Sequence, residues 1–354
     1  MIKVLGLALY GPMAASTRYR LGQYVRGLAV LGIDLQIRHL LGDDYLRVRF
    51  NGGSLPLTSI VKSGFARLAD LWRADDYDLA MLHCELFPLM PGWLERALIH
   101  KPYIYDFDDA FFLKYRSGHL GLASPLLGKK FDTVMSGAVS VTAGNQFLAE
   151  YARRHNTITQ YLPTVVDTTR YVPRPKKRGG KIFTVGWIGS PSTAPYLSEI
   201  VEPLSTIGLE GPVRFVVIGG KAPVVPNVTV IELDWAENTE IDLINSFDVG
   251  MMPLPDNDWE RGKCAFKLIQ YMACAVPVVA SAVGANIDVV SSECGFLVST
   301  PRDWIEALRQ LRDQEIARVD MGIAGRARVI QNYSLHQNLP VLADVIINST
   351  KAMN

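Results

Sequence analysis

The chain has 354 residues, 49% of them hydrophobic and 20% charged, with a formal net charge of +1. That length accommodates two domains of ordinary size, and the composition excludes a disordered chain. The near-neutral charge argues against a nucleic-acid partner. The four cysteines, Cys84, Cys264, Cys274 and Cys294, are scattered without C-x-x-C spacing. Neither a disulfide framework nor a zinc site is therefore expected, and reduced thiols fit a cytoplasmic protein. No run of about 18 apolar residues marks a membrane span, and Met1-Ile2-Lys3-Val4 leads into a strand without a signal-peptide pattern.

Ile2 to Tyr10 is nearly all apolar and reads as a parallel strand buried on both faces. Gly11-Pro12 ends it, and a helix is predicted from about Thr17 to Leu31. The loop lacks G-x-G-x-x-G, which weakens a dinucleotide reading. Arg18 and Arg20 are first-turn arginines; Arg18 is equally a cleft-facing and a solvated residue, and Arg20 reads as structural. Asp34 to Leu40 is a second strand and residues 41–57 read as loop. Ser59 to Trp72 is an amphipathic helix with Lys62 and Arg67 on its polar side, suited to covering a sheet or lying on a membrane surface. Asp78 to His83 is a buried strand ending in His83-Cys84-Glu85, and Pro102 to Asp106 another, ending in Asp106-Phe-Asp108-Asp109. Polar residues at such strand ends point into the crevice of an α/β sheet. His83 or Glu85 is thus a candidate substrate contact, although Glu85 equally suits a cap or an ion pair. Three carboxylates crowded at one strand end are costly unless something binds them. A helix at 131–136, a strand at 138–142, a helix at 144–155 and a short strand at 158–162 follow. Pro163, Pro173, Pro175, the basic run Lys176-Lys177-Arg178 and Gly179-Gly180 then read as a domain linker.

The pattern restarts at Lys181 to Ile188, ending in Gly189-Ser190, with a helix from about Thr193. Strands at 213–218 and 228–233 follow, the second ending in Asp234-Trp235, then a helix at 237–247. Asp248 to Met252 is a buried strand, Cys264 to Cys274 a helix, and Pro277 to Ala280 the next strand. The loop-to-helix junction of such a βαβ unit favours an anion, through free amides and the helix dipole. Lys263 and Lys267 bracket the junction, so a phosphate or diphosphate is the natural guest. A strand at 295–298, helices at 301–312 and 315–331, and a last helix at roughly 334–349 complete the chain.

Lys267-Leu-Ile-Gln270-Tyr-Met272-Ala-Cys-Ala-Val-Pro277-Val-Val resembles the nucleotide-sugar signature K-x-x-E-x-M-A-x-G-x-P-V-V of family 4 retaining glycosyltransferases. Gln270 stands for the usual glutamate and Ala275 for the usual glycine, and the family's earlier glutamate falls on Gly262. Thr142-Ala-Gly144-Asn145 is similar to the family's T-x-S-N turn. The resemblance implies a GT-B fold: two doubly wound Rossmann-like α/β domains facing a cleft, here 1–170 with a crossover helix at about 334–354, and 181–331. It implies transfer of a sugar from a nucleotide sugar, UDP-linked by preference, to a carbohydrate or lipid-linked hydroxyl acceptor, in cell-surface polysaccharide or glycolipid assembly. Retention, no metal, no protein nucleophile, domain closure that excludes water, a cytoplasmic location and peripheral contact with the inner face of a membrane come with it.

For the donor it implies Gly11, Arg18, Gly189, Ser190, Lys263, Lys267, the junction residues Cys264, Ala265 and Phe266, Gln270 at the ribose with Glu260 in reserve, and Trp235 at the base. The family's Arg/Lys pair after the first strand of this half is replaced by Ser190-Pro191-Ser192-Thr193. For sugar and acceptor it implies Asp106, Asp108 and His83. Other readings of the carboxylate cluster are a metal-binding D-x-D, a phosphotransferase nucleophile, and ion pairs with Arg18 or Arg116. Gln270, Gly262 and the missing cations also suit a nucleotide-sugar-binding scaffold without turnover, and a GT-B epimerase is a third alternative.

Overall fold

In the computed structural model, residues 1–50, 52–54, 56–116, 124–175 and 182–351 are described. The basic run and glycines at 176–180, read above as part of a linker, lie outside them. The chain divides into two compact units. One comprises Met1–Val165, Gly262–Cys264 and Leu335–Asn354, and the other Val166–Arg261 and Ala265–Ser334.

The first unit is built on a parallel sheet of six strands in the order β2-β1-β3-β4-β5-β6. Their ranges are β1 Ile2–Tyr10, β2 Ile33–Leu41, β3 Leu79–His83, β4 Tyr103–Phe107, β5 Ser140–Ala143 and β6 Thr159–Tyr161. β1, β3, β4 and β5 have buried interiors on both faces, which is why they read as continuous apolar runs. Val4, Ala8, Leu79, Met81 and Ile104 form the core with Leu342, Ala343 and Ile346 of the C-terminal helix Leu335–Lys351. The strand order reverses between β1 and β3, so the carboxyl ends of these two strands, Tyr10 and His83, flank the crevice where sheets of this kind hold ligands.

The second unit repeats the plan with β12-β11-β10-β7-β8-β9, again all parallel. Here the strands are β7 Phe183–Ile188, β8 Val213–Ile218, β9 Thr229–Leu233, β10 Val249–Met252, β11 Val278–Ser281 and β12 Gly295–Val298. Its core gathers Trp187, Phe215, Met251, Val279, Trp304 and Leu308. The reversal falls between β7 and β10, which puts Gly189 and the loop after Met252 at its crevice.

Three local expectations need correction. Residues 41–57 hold a helix, Asp43–Phe50, with Asp43 and Asp44 in its first turn and Arg47 and Arg49 in its last. Those charges complement the helix dipole without producing an apolar stripe. The segment Thr17–Leu31 is not one α-helix: a π-helical turn, Thr17–Leu21, and a 3-10 turn, Gly22–Tyr24, precede a short α-helix, Val25–Val30. In the helix Leu57–Trp72, Arg67 is 1% exposed rather than solvated. Its Nη2 donates to the carbonyl of Ala8 at 2.5 Å. Burial pushes its pKa down to about 10. Leu57, Val61, Phe65, Leu68 and Trp72 of the same helix are exposed instead.

Candidate functional site

The first unit gathers most of its candidate residues around one buried carboxylate. Asp106, the penultimate residue of β4, has no exposed surface. Its oxygens accept from Arg20 Nε at 3.1 Å, from Arg20 Nη2, from His83 Nδ1 at 2.7 Å and from Thr142 Oγ1 at 2.5 Å. Burial alone would raise this carboxyl, but the Arg20 guanidinium and the His83 bond hold it well below the usual carboxylate range. Arg20 also donates to the Leu162 carbonyl at 2.5 Å and is 1% exposed. Neither alternative ion-pair partner meets it. Arg18 donates to the carbonyls of Pro12 and Met13, and Arg116 pairs with both oxygens of Asp132. A carboxylate so enclosed has no oxygen to offer a sugar directly; it fixes Arg20 and the His83 ring.

With Nδ1 donating to Asp106, the other ring nitrogen of His83 turns toward Cys84 Sγ at 3.2 Å and Asp108 Oδ1 at 3.9 Å. Asp108 is the more open edge of this group, its side chain 13% exposed. Burial pushes its carboxyl up to about 6, against the pull of His83 and with Asp109 adding to the rise. Asp109 pairs with Lys263 Nζ at 3.1 Å, Cys264 Sγ donates to the Asp108 carbonyl at 3.1 Å, and Asn145 Nδ2 donates to the Lys263 carbonyl at 2.9 Å. The stretch Gly262–Cys264 thus packs with the first unit, and Lys263 has a specific carboxylate partner. Gly144 is glycine for this reason: a Cβ there would strike Cys264 Sγ. Asn145 Oδ1 caps the helix Gln146–Arg153 by accepting from the Leu148 amide at 2.7 Å.

Glu85 turns away from this group. It is buried against Lys130 at 2.6 Å, which also pairs with Glu95 at 3.0 Å, and Tyr115 donates to it. Gly11 closes β1 against Asp43, whose Oδ1 accepts from the Met13 amide at 2.8 Å.

In the second unit Lys267 sits in the first turn of the helix Phe266–Ala273, its ammonium 5.3 Å from the centre of the Trp187 ring. Gly189 is small because Trp187 and the Lys267 stem crowd its Cα. The Gly189 amide donates to the Ile218 carbonyl at 3.0 Å and the Ser190 amide to Thr193 Oγ1 at 3.4 Å, so these two donors are engaged within the fold. The helix start has no side-chain cap, and its N-cap residue Ala265 is left-handed at φ 52°. Cys264 and Phe266 flank it, half-buried. This end of the helix carries the positive pole of the dipole.

Gln270 is buried in a chain of polar groups. Its Nε2 donates to the Tyr171 hydroxyl at 2.8 Å, Tyr171 donates to Glu240 Oε1, and Trp235 Nε1 donates to Glu240 Oε2 at 2.8 Å. Trp235 and Gln270 are therefore linked through Glu240, a carboxylate 1% exposed that no sequence pattern marked. Glu260, 2% exposed, accepts from the Tyr196 hydroxyl through Oε1, while its Oε2 is buried without a hydrogen-bond partner among the described residues. A cavity of about 490 Å3 lies along the ends of β10, β11 and β12, lined by Glu199, Leu254, Asp256, Ser281, Thr300 and Trp304. None of the predicted donor residues lines it.

Two doubly wound parallel units, the second with a cation and a helix start at its switch point, define the GT-B class of fold. Residues 180–314 match the family model described as "Glycosyl transferases group 1". The fold is that of solved glycosyltransferases. Sucrose-phosphate synthase from Thermosynechococcus elongatus has a TM-score of 0.71 at 13% identity, covering 99% of this chain and 100% of that one. A glycosyltransferase from Rickettsia africae has 0.70 at 11%, with 99% of each chain covered. Anabaena Alr3699/HepE in complex with UDP and glucose has 0.69 at 13%, covering 98% and 99%. None of the curated protein sequences matches this chain.

Proposed function

We propose that this chain is a retaining glycosyltransferase that moves a sugar from a nucleotide sugar, UDP-linked, to a hydroxyl acceptor in polysaccharide or glycolipid assembly. The observation that carries the reading is Lys267: it occupies the signature's lysine position, stands in the first turn of the helix and lies beside Gly189 at the second unit's switch point. The signature lies inside the stretch matched by the group 1 model. That HepE was solved with UDP and with UDP-glucose supports the choice of base.

In this reading Lys267 and the helix start stabilise the leaving diphosphate, whose charge grows as the anomeric bond breaks. The acceptor oxygen attacks from the face the diphosphate leaves, and the acceptor proton passes to a diphosphate oxygen. Nucleoside diphosphate and the glycosylated acceptor are the products, and no metal is needed to balance the step. His83 and Asp108 orient sugar and acceptor, with Asp106 as the positioning residue that fixes His83. Glu260 Oε2, buried and unsatisfied, suits a donor hydroxyl. The test is turnover of UDP-, GDP- and ADP-sugars with an acceptor panel in the presence of a metal chelator, with the product anomer read by NMR. Inverted product would overturn retention, and donor binding without product across the panel would favour the scaffold reading.

The acceptor is proposed to be presented at a membrane. Leu57, Phe65 and Trp72 are 74%, 69% and 86% exposed, and with Val61 and Leu68 they fall on one arc of the helix, flanked by exposed Lys62 and Arg73. Such an arc suits the interface of an anionic bilayer. Among the described residues, no helix is long and apolar enough to cross a membrane. Flotation with phosphatidylglycerol vesicles should recover the protein, and F65S/W72S should lose most of that binding; equal flotation of both would refute the contact.

A further inference from the structure

We propose that His83, Cys84 and Asp108 form a binding site for a zinc ion in the first unit. Sequence spacing gives no hint of it, because the fold brings the ends of β3 and β4 together. His83 Nε2, Cys84 Sγ and Asp108 Oδ1 lie within 4.8 Å of one another. The separations are 3.2 Å from nitrogen to sulfur, 3.9 Å from nitrogen to oxygen and 4.0 Å from sulfur to oxygen. Tetrahedral zinc with ordinary bond lengths sets such edges at about 3.6, 3.4 and 3.6 Å. The three donors therefore need to move only by tenths of an ångström to share one ion. Three protein ligands would leave the fourth position for water.

The surroundings suit a metal. Asp106 accepts from His83 Nδ1 at 2.7 Å, which fixes the tautomer that presents the Nε2 lone pair. Carboxylate–histidine pairs orient metal ligands in this way. Arg20 pairs with Asp106 and Lys263 with Asp109, whereas the ion-pair partner of Asp108 Oδ1 among the described residues is His83, when protonated. The left-handed backbone at Cys84, φ 67°, belongs to the turn that carries its Sγ beside the ring. Asp108, at the open edge, gives an ion a way in.

The site stands on this geometry alone. Its consequence for transfer rests on the reading above: zinc on Nε2 removes His83 from the acceptor, so occupancy should inhibit. The test is titration of the full chain with Co2+ as a spectroscopic substitute, followed by Zn2+ competition. One ion per chain with a thiolate-to-cobalt charge-transfer band is expected, and C84S, checked by circular dichroism, should lose the band. A band retained in C84S, or cobalt bound without one, would overturn the proposal. X-ray absorption on the zinc-loaded wild type needs no variant: a first shell with one sulfur supports the site, and a shell without sulfur refutes it. A charge-transfer band without inhibition of transfer would leave the site standing and remove His83 from the transfer mechanism.

Discussion

Replacing Asp106 by asparagine should be the most damaging isosteric change in the first unit. The carboxylate has no exposed surface and accepts from Arg20, His83 and Thr142. An asparagine offers one acceptor oxygen and an amino group that faces the Arg20 donors. Arg20, itself 1% exposed, would then be a buried cation without its anion. Breaking one side of a buried pair costs about 3–5 kcal/mol. At roughly 2–4 °C per kcal/mol for a unit of this size, the melting of the first unit should fall by about 6–20 °C. The assay is scanning calorimetry with hydrogen exchange read separately over β4 and over the second unit, because a two-unit chain need not melt in one step. Asp106 ionises in the fold far below its unfolded value of about 3.9. Its contribution is therefore complete above about pH 4 and is lost as pH falls toward the folded value, so the gap between wild type and D106N should narrow in acid. A variant melting within about 2 °C of wild type at neutral pH would refute this reasoning.

Asp108 should show the opposite sign. Its folded carboxyl is pushed up to about 6, so first-unit stability should rise as pH falls from about 6 to about 4; denaturant titrations of D108N should lack that slope. Restoring the signature glutamate, Q270E, should not tighten donor binding. It removes the amide that donates to Tyr171 and adds a second carboxylate one hydroxyl away from Glu240, so stability should drop by about 1–3 kcal/mol; calorimetric UDP affinity that improves at unchanged stability would contradict this. K267A should lower kcat/KM by about two to three orders of magnitude in a steady-state transfer assay, the usual scale for losing one preorganised charge at a developing anion.

Much of the frame was legible because buried parallel strands are continuous apolar runs. β1 was read at its observed bounds, Ile2–Tyr10, and so were β8 and β12. Asn145 was marked only as part of a turn resembling the family's, and its cap on the helix Gln146–Arg153 is seen in the structure. What escaped depends on partners far away in the chain. Nothing near Arg20 announces Asp106, 86 residues on, and nothing near Gln270 announces Tyr171 and Glu240. Periodicity placed Arg67 on a polar face; the Ala8 carbonyl that draws it inward belongs to a different strand. The spacing of the cysteines showed no metal site for the same reason, because Asp108 comes to His83 and Cys84 only through strand order.

The most direct test of a donor site is thermal shift of the full chain with UDP, GDP, ADP and CMP, with and without magnesium, for wild type and K267A. A nucleotide at about 100 times its dissociation constant stabilises its fold by roughly 2.7 kcal/mol. Selective stabilisation of the wild type by UDP, equal without magnesium, and a marked loss of it in K267A are expected. No shift with any of the four, or an equal UDP shift in K267A, would contradict the proposed donor site.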